Sequence, residues 1–271
     1  MARERSKILT IAARPAENAV SCRLRKALIL GCGFTGSRVA DRLRRRGYLV
    51  HGTHRAQLDF RSAGWRQALR PLLAPLILHS VPLLGDGLDE EIIAELQTER
   101  IVYLSTTSVY GATRDVNEAT EVVPGHARVQ VERAIQARPW SSLILRPAAI
   151  YGPGRGIHVS MQAGKFKLLG DGSNYVSRIH VDDLAGIAEA ALFSHLTGAY
   201  PVGDCHPCPS REIAEFCSQL LNLPMPRSGR AEELPATRRA DRRVDGSALR
   251  TALGIELRYP SYRDGIPASL S

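Results

Sequence analysis

Residues 27–36 read ALILGCGFTG, a four-residue apolar run that leads directly into a glycine-rich turn. An apolar run of this kind is typical of a buried parallel strand. Residues 37–46 then place apolar side chains at helical spacing up to a closing glycine, and Tyr48–Val50 reads as a second strand. The pattern therefore predicts a βαβ unit with the glycines at its first strand-to-helix turn.

Each glycine of this turn has a physical reason to be there if the turn binds a dinucleotide. Gly31 allows the sharp turn, Gly33 lets a pyrophosphate approach the backbone, and Gly36 lets the helix pack closely on the strand. The first N–H groups of the helix would carry a partial positive charge toward the phosphates, which adds Phe34 and Thr35 to the predicted cofactor site. The competing interpretation is a plain glycine-rich turn.

The choice of cofactor depends on the end of the second strand, where residues 50–55 read VHGTHR. An acidic residue there would bind the ribose 2′-hydroxyl of NAD, and this segment has none. Arg55 is suited to a 2′-phosphate, helped by Thr53 or His54, because a guanidinium matches phosphate geometry. The residues favour NADP, with NAD as the alternative, unless Arg55 is simply one more exposed arginine.

Strands and helices alternate along the rest of the chain, which predicts a parallel sheet with helices on both faces. The fold class is therefore α/β: a Rossmann-type doubly wound parallel sheet with a small C-terminal substrate lobe. We expect a flexible tail over residues 1–26 and one domain over 27–271, with the lobe built from about 153–180 and 204–271. The remaining predicted elements are strands at Leu76–Leu78, Ile101–Leu104 and Leu143–Leu145 and helices at Glu90–Gln97, Val129–Ala137 and Leu184–Phe193.

Composition narrows the classes of function. The net charge is +9, but the arginines are spread over helix faces without interleaved aromatic residues, so nucleic-acid binding is not expected. Five cysteines form no disulfide framework, and the Cys205–Cys208 pair lacks the second ligand pair of a zinc site, so no metal is predicted. No apolar run is long enough to span a membrane and the N-terminus does not resemble a secretory signal, which favours a cytoplasmic protein.

Several ordered segments together resemble the extended and atypical short-chain dehydrogenase/reductases, the NAD-dependent epimerase/dehydratase superfamily. The resemblance runs from Ala27 to Leu270. It rests on the glycine turn followed by YLSTTSVYG at 103–111, LRPAAIYGPGR at 145–155 and RIHVDDL at 178–184.

The resemblance implies roles for individual residues. Thr106 falls where the family has its catalytic Ser or Thr, beside the nicotinamide. The alternative is that Thr106 only caps the end of a strand. The segment Ser80, Val81 and Pro82 falls where a loop passes the cofactor ribose, and Pro147 falls beside the nicotinamide amide.

The family's acid/base pair, a Tyr with a Lys four residues later, is missing. No Tyr lies between Gly111 and Ile150, and the two expected positions hold Pro124 and Arg128. The family's substrate-phosphate Arg is replaced by Val176, which argues against a nucleotide-sugar substrate. The atypical branch often lacks the acid/base pair, so the chain resembles that branch best.

Other residues are candidates for the site. Tyr151 is a weak catalytic candidate, and Tyr110, Arg155 and His180 are candidates for contacting a substrate. Both tyrosines equally fit a core position with a satisfied hydroxyl. His180 fits a structural role, with Asp182 and Asp183 expected to cap the helix that follows.

Two functions remain open. The first is an NADP-dependent oxidoreductase, or an epimerase- or dehydratase-like enzyme, acting on a small molecule. The second is a non-catalytic NADP-binding sensor that has lost the Tyr–Lys pair. The resemblance also implies a homodimer, which is common in the family.

Overall fold

A computed structural model describes residues 25–235 and 239–270. The predicted tail over 1–26 lies outside the described residues, except that β1 already begins at Lys26. The centre of the molecule is a six-stranded sheet in the order β11-β6-β4-β3-β1-β2, with every neighbouring pair parallel. Its strands are β1 Lys26–Leu30, β2 Leu49–Thr53, β3 Leu76–His79, β4 Arg100–Leu104, β6 Ser141–Pro147 and β11 Gly198–Val202.

Helices cover both faces of the sheet and bury two apolar layers against it. One face carries α1 Gly36–Arg45, α6 Val181–Phe193 and α8 Ser247–Leu253. The other carries α2 Trp65–Leu69, α3 Leu88–Glu95 and α4 Ala127–Gln136. This is the doubly wound Rossmann-type architecture that the alternating pattern predicted, because parallel strands require crossover helices on their faces.

A third apolar cluster lies beyond the carboxyl edge of the sheet. It is built around α5 Ile157–Gln162, α7 Ser210–Leu221 and α9 Tyr262–Ala268. These helices lie within the ranges assigned to the lobe, whereas α8, also in that range, packs on the main sheet. Short strand pairs join the segments: β5 Asp115–Val116 with β14 Arg243–Val244, β7 Ala149–Tyr151 with β10 Arg178–His180, β8 Leu168–Leu169 with β13 Ser228–Gly229, and β9 Tyr175–Val176 with β12 Cys208–Pro209.

The predicted capping of α6 by Asp182 and Asp183 is wrong. The helix begins at Val181, three residues earlier than predicted, and its N-cap is His180. The buried Asp183 carboxylate instead accepts hydrogen bonds from the backbone N–H groups of Arg258 and Tyr259. Asp183 therefore anchors the segment that leads into α9.

None of the helices in the described part of the chain combines the length and the apolar character that a membrane crossing requires.

Candidate functional site

The glycine-rich turn joins β1 to α1 at the carboxyl edge of the sheet. Gly31 has φ +88°, and a Cβ there would lie 3.0 Å from backbone atoms of Ser80. A Cβ on Gly36 would collide with the carbonyl oxygen of Gly31, whereas a Cβ on Gly33 would meet no described atom within 4 Å. The turn is thus tightly packed at two glycines and open at the third, which is where a pyrophosphate needs room.

The N-terminus of α1 faces this open space. Its N-cap, Thr35, makes no side-chain capping bond, and the first turn contains no acidic residue. The neighbouring Phe34 ring lies against two guanidinium groups, with the Cζ atom of Arg38 at 4.6 Å and that of Arg155 at 5.3 Å from its centroid. The helix therefore presents uncapped N–H groups beside positive side chains, a favourable setting for an anion.

Two buried or half-buried hydroxyls hold the turn in shape. Ser80 Oγ donates to the carbonyl oxygen of Gly31 at 2.7 Å. Thr53 Oγ1 accepts from the Gly31 N–H at 3.1 Å and donates to the carbonyl oxygen of Ile29 at 3.4 Å. The expectation that Thr53 helps to bind a 2′-phosphate is therefore wrong, because its side chain is buried beneath the turn. The structure places Ser80 below the turn as well.

Arg55 lies just beyond the end of β2 with 84% of its side chain exposed. The carboxylate near it is that of Asp59, whose Oδ2 lies 3.9 Å from Arg55 Nε. An exposed ion pair at this distance holds a side chain only weakly. The guanidinium is therefore free to turn toward a bound nucleotide, as is the exposed His54 beside it.

The neighbouring strand ends complete this edge of the sheet. Val81 is half-buried and Pro82 exposed directly after β3, and the buried Pro147 ends β6 in register with Val202 of β11.

Thr106 follows β4 and is partly exposed, and its Oγ1 accepts from the Ser108 N–H at 3.2 Å. Thr106 therefore caps the short 3-10 turn at the strand end, and its side chain stays partly exposed.

The two candidate tyrosines lie in the core. Tyr110 is 1% exposed and its hydroxyl accepts from Arg146 Nη1 at 3.2 Å, while Arg146 is paired with buried Glu132 at 2.6 Å. Tyr151 is 4% exposed and donates to the carbonyl oxygen of Ser261 at 3.3 Å. Burial raises the pKa of both phenols, which makes them poor bases near neutral pH. This geometry fits the core interpretation of both rings.

His180 is equally buried. Its Nδ1 accepts from the Asp182 N–H at 3.2 Å, and its Nε2 lies 3.2 Å from Ser269 Oγ. The ring packs against those of Tyr151 and Tyr259, at centroid distances of 5.2 and 4.1 Å. Burial lowers the pKa of His180 to about 4, so the ring is neutral at physiological pH. The structure assigns it a place in the core rather than in the cleft.

The start of α4 is the region where the family's acid/base pair is missing. Pro124 is exposed, and Arg128 turns inward to donate from Nη1 to the hydroxyl of Tyr103 at 2.7 Å. The sequence reasoning missed His126, which is the N-cap of α4 and whose Nε2 lies 3.1 Å from Ser108 Oγ. No sequence motif signals this contact, since it joins a helix start to a strand end 18 residues away.

A second cluster forms in the lobe, beside the Cys205–Cys208 pair for which the sequence predicted no metal site. His206, Cys208 and Glu212 bring their ligand atoms within 4.8 Å of one another, and His206 Nε2 lies 3.0 Å from the Glu212 carboxylate. However, Arg178 Nη1 donates to Cys208 Sγ at 3.2 Å, and burial raises the pKa of that thiol. A guanidinium on the sulfur and a thiol that resists ionisation both oppose a cation at this cluster.

Comparison with known proteins supports the family predicted from the sequence. Residues 90–202 match the model of the NAD dependent epimerase/dehydratase family. A 3-diazoavenalumate denitrifying reductase of a Streptomyces species is 32% identical over 154 residues, which are 52% of this chain and 51% of that protein. The match therefore spans about half the length of the reductase. Protein YeeZ of Escherichia coli K12 is 26% identical and covers 88% of this chain and 97% of its own.

Solved structures share the fold over nearly the whole chain. A protein of unknown function from Silicibacter pomeroyi is 28% identical, with a TM-score of 0.72, and covers 90% of this chain and 98% of its own. MoeE5 in complex with UDP-glucose and NAD has a TM-score of 0.76 at 20% identity, over 90% of this chain and 97% of its own. The resemblance predicted from the sequence is confirmed over residues 90–202, which match the model of the NAD-dependent epimerase/dehydratase family.

Proposed function

We propose that this protein is an NADP-dependent oxidoreductase that acts on a small molecule. The observation that carries the proposal is the open position at Gly33, set at the uncapped N-terminus of α1 on the carboxyl edge of a parallel sheet. Ligands of doubly wound folds bind at this edge, and dinucleotide phosphates bind at such a helix start. Thr106 offers a hydroxyl from the end of β4 on the same edge.

The preference for NADP over NAD rests on Arg55. No acidic side chain stands at the end of β2 to receive a ribose 2′-hydroxyl, and the exposed guanidinium of Arg55 is only loosely paired. A 2′-phosphate would give it a strong, charge-assisted partner. NAD remains the alternative, and NAD is the dinucleotide bound in the solved structure of MoeE5.

Reduction is favoured over epimerisation or dehydration. The Streptomyces relative, which is 32% identical over the half of the chain that it matches, is named as a reductase. The second candidate function, a non-catalytic NADP sensor, is favoured by one observation. Tyr110 and Tyr151 are buried and hydrogen-bonded, so neither replaces the missing phenol.

Calorimetric titration of the purified protein with NADPH, NADH and their oxidised forms tests the cofactor. We expect selective binding of NADPH that Arg55→Ala weakens at least tenfold, about 1.4 kcal/mol. Arg138→Ala is the matched control, because this exposed arginine lies after α4 near the opposite edge of the sheet. Equal binding of NADH, unaffected by Arg55→Ala, would favour NAD, and no binding of any form would refute the proposal.

Gly33→Val tests the turn itself. Because a Cβ at Gly33 meets no described atom, the variant should fold with an unchanged melting temperature yet lose dinucleotide binding. Gly36→Ala should lower the melting temperature, because its Cβ collides with the turn. A Gly33→Val protein that binds NADPH normally would place the cofactor elsewhere. Oxidation of NADPH by a set of carbonyl compounds then separates an enzyme from a sensor.

A further inference from the structure

The imidazole of His126 has both of its nitrogens committed. Nδ1 accepts the N–H of Arg128 at 3.1 Å, as the cap of α4, so the neutral ring must carry its proton on Nε2. Nε2 lies 3.1 Å from Ser108 Oγ. The hydrogen bond therefore runs from His126 to Ser108, and the serine oxygen is the acceptor.

This direction leaves the hydroxyl proton of Ser108 without an acceptor. A serine hydroxyl donates one hydrogen bond, and no acceptor for that of Ser108 lies within the residues 25–235 and 239–270 that the structure describes. Ser108 is exposed and His126 half-buried. Nearby Ser105 shows the contrast, since it is buried and donates its proton to Glu132. The Ser108 proton is therefore available to a ligand that approaches from the exposed side of the residue.

The position of Ser108 suits a substrate. It lies on the turn that follows β4, two residues beyond Thr106, and its backbone N–H is bonded to the Thr106 hydroxyl oxygen. The Thr106 oxygen is thereby also used as an acceptor, which leaves its own proton to be donated. Two hydroxyls with a proton to donate therefore lie two residues apart on the turn after β4, at the same edge of the sheet as the glycine-rich turn.

We infer that Ser108 binds the carbonyl oxygen of the substrate beside Thr106, and that His126 is a positioning residue that orients the Ser108 hydroxyl. The inference deepens the proposed function, on which it rests, by naming the substrate class as carbonyl compounds. In the reduction, hydride from NADPH would add to the carbonyl carbon, the C=O π electron pair would become negative charge on the oxygen, and a proton taken up from solvent would complete the alcohol. Hydroxyl donors beside that oxygen stabilise the negative charge as it forms. Ser108 and Thr106 offer these donors beside the start of α4, where Pro124 stands in place of the family's tyrosine.

The test is NADPH-dependent reduction of p-nitrobenzaldehyde, an aliphatic aldehyde and a quinone by Ser108→Ala, His126→Asn and the double variant. Ser108→Ala should lower kcat/KM about 10²-fold, as the loss of one such donor does elsewhere. His126→Asn keeps a side-chain oxygen able to cap α4, but its amide ends one bond short of the ring Nε2. We expect it to keep the melting temperature of the wild type and lower kcat/KM about tenfold.

The double variant separates positioning from a merely structural role. If His126 acts through Ser108, adding His126→Asn to Ser108→Ala costs nothing further, so the two effects are not additive. If His126 only caps the helix, His126→Asn alone has wild-type kcat/KM, and the inference is overturned. It is also overturned if the wild type binds NADPH but reduces none of the three compounds. Failure to bind NADPH at all would instead refute the proposed function.

Discussion

Histidine caps the first turn of two helices in this protein, and the two caps start out alike. His126 begins α4 and His180 begins α6. In each, Nδ1 accepts the N–H two residues further on, that of Arg128 at 3.1 Å and that of Asp182 at 3.2 Å. In each, Nε2 then meets a serine hydroxyl at nearly the same distance. The local chemistry is the same in both regions.

The two regions differ in what the serine does next. Ser269 is buried, and its Oγ donates onward to the carbonyl oxygen of Gly265 at 2.6 Å, so the chain of bonds from His180 is complete. Ser108 is exposed, and its proton has no acceptor among the described residues. A fully satisfied buried network rigidifies the fold, whereas the exposed Ser108 hydroxyl keeps a proton that it can donate to a ligand. Burial, rather than residue type, separates the two.

The largest loss of stability is expected when His180, the buried histidine cap, is replaced. His180→Ala removes the cap of α6, the bond to Ser269 and a ring that packs against Tyr151 and Tyr259. Loss of a buried aromatic ring and a cap together should lower the free energy of unfolding by about 4 kcal/mol. Urea denaturation followed by circular dichroism measures this. A loss below about 1 kcal/mol would show that the buried network adds little.

Lowering the pH should reduce the free energy of unfolding through the buried His180. Burial lowers the pKa of His180 from 6.5 to about 4, with Arg38 and Arg258 acting in the same direction and Asp182 against it. The unfolded chain therefore binds more protons between these two values, and the free energy of unfolding falls as the pH falls through that window. The shift corresponds to about 3 kcal/mol at pH 4 relative to pH 7.

His180→Asn isolates this contribution, because asparagine caps a helix without titrating. Its free energy of unfolding should fall less steeply than that of the wild type from pH 6.5 to pH 4. The remaining slope belongs partly to His79, whose pKa burial lowers to about 3. Parallel slopes for wild type and variant would contradict a neutral, buried His180.

Much of the Rossmann half could be predicted because its signals are local. The glycine turn has strict steric requirements, and buried parallel strands such as β1 and β4 read as apolar runs. The sixth strand, Gly198–Val202, was missed because it carries Pro201. Among the described residues it lies at the sheet edge and pairs with β6 alone, and proline is tolerated at such an edge. Edge position is a property of the assembled sheet.

The candidate site was only partly predictable for the same reason. The turn residues and Thr106 stand out by motif and spacing, and the structure brings them to one edge of the sheet. His126 carries no such signal, because its ring becomes informative only when α4 packs beside the end of β4. Ser80 and Thr53 were expected near the cofactor, but hydrogen bonds beneath the turn use their hydroxyls. Hydroxyl orientation depends on tertiary contacts that a sequence pattern does not encode.

The smallest effect is expected at His126, the half-buried N-cap of α4. His126→Ala removes the capping bond of α4 but no buried ring, since the side chain is half-exposed. The free energy of unfolding should fall by about 1 kcal/mol, which is the typical contribution of an N-cap residue. His126→Asn should keep the wild-type value, because asparagine also caps a helix. Asparagine at His180 should not restore stability to the same extent, because the packing of the ring is lost there as well. The same urea titration measures all four variants. Equal rescue by asparagine at both positions would mean that each histidine contributes to stability only as a helix cap. Burial of the His180–Ser269 network would then add nothing to the free energy of unfolding.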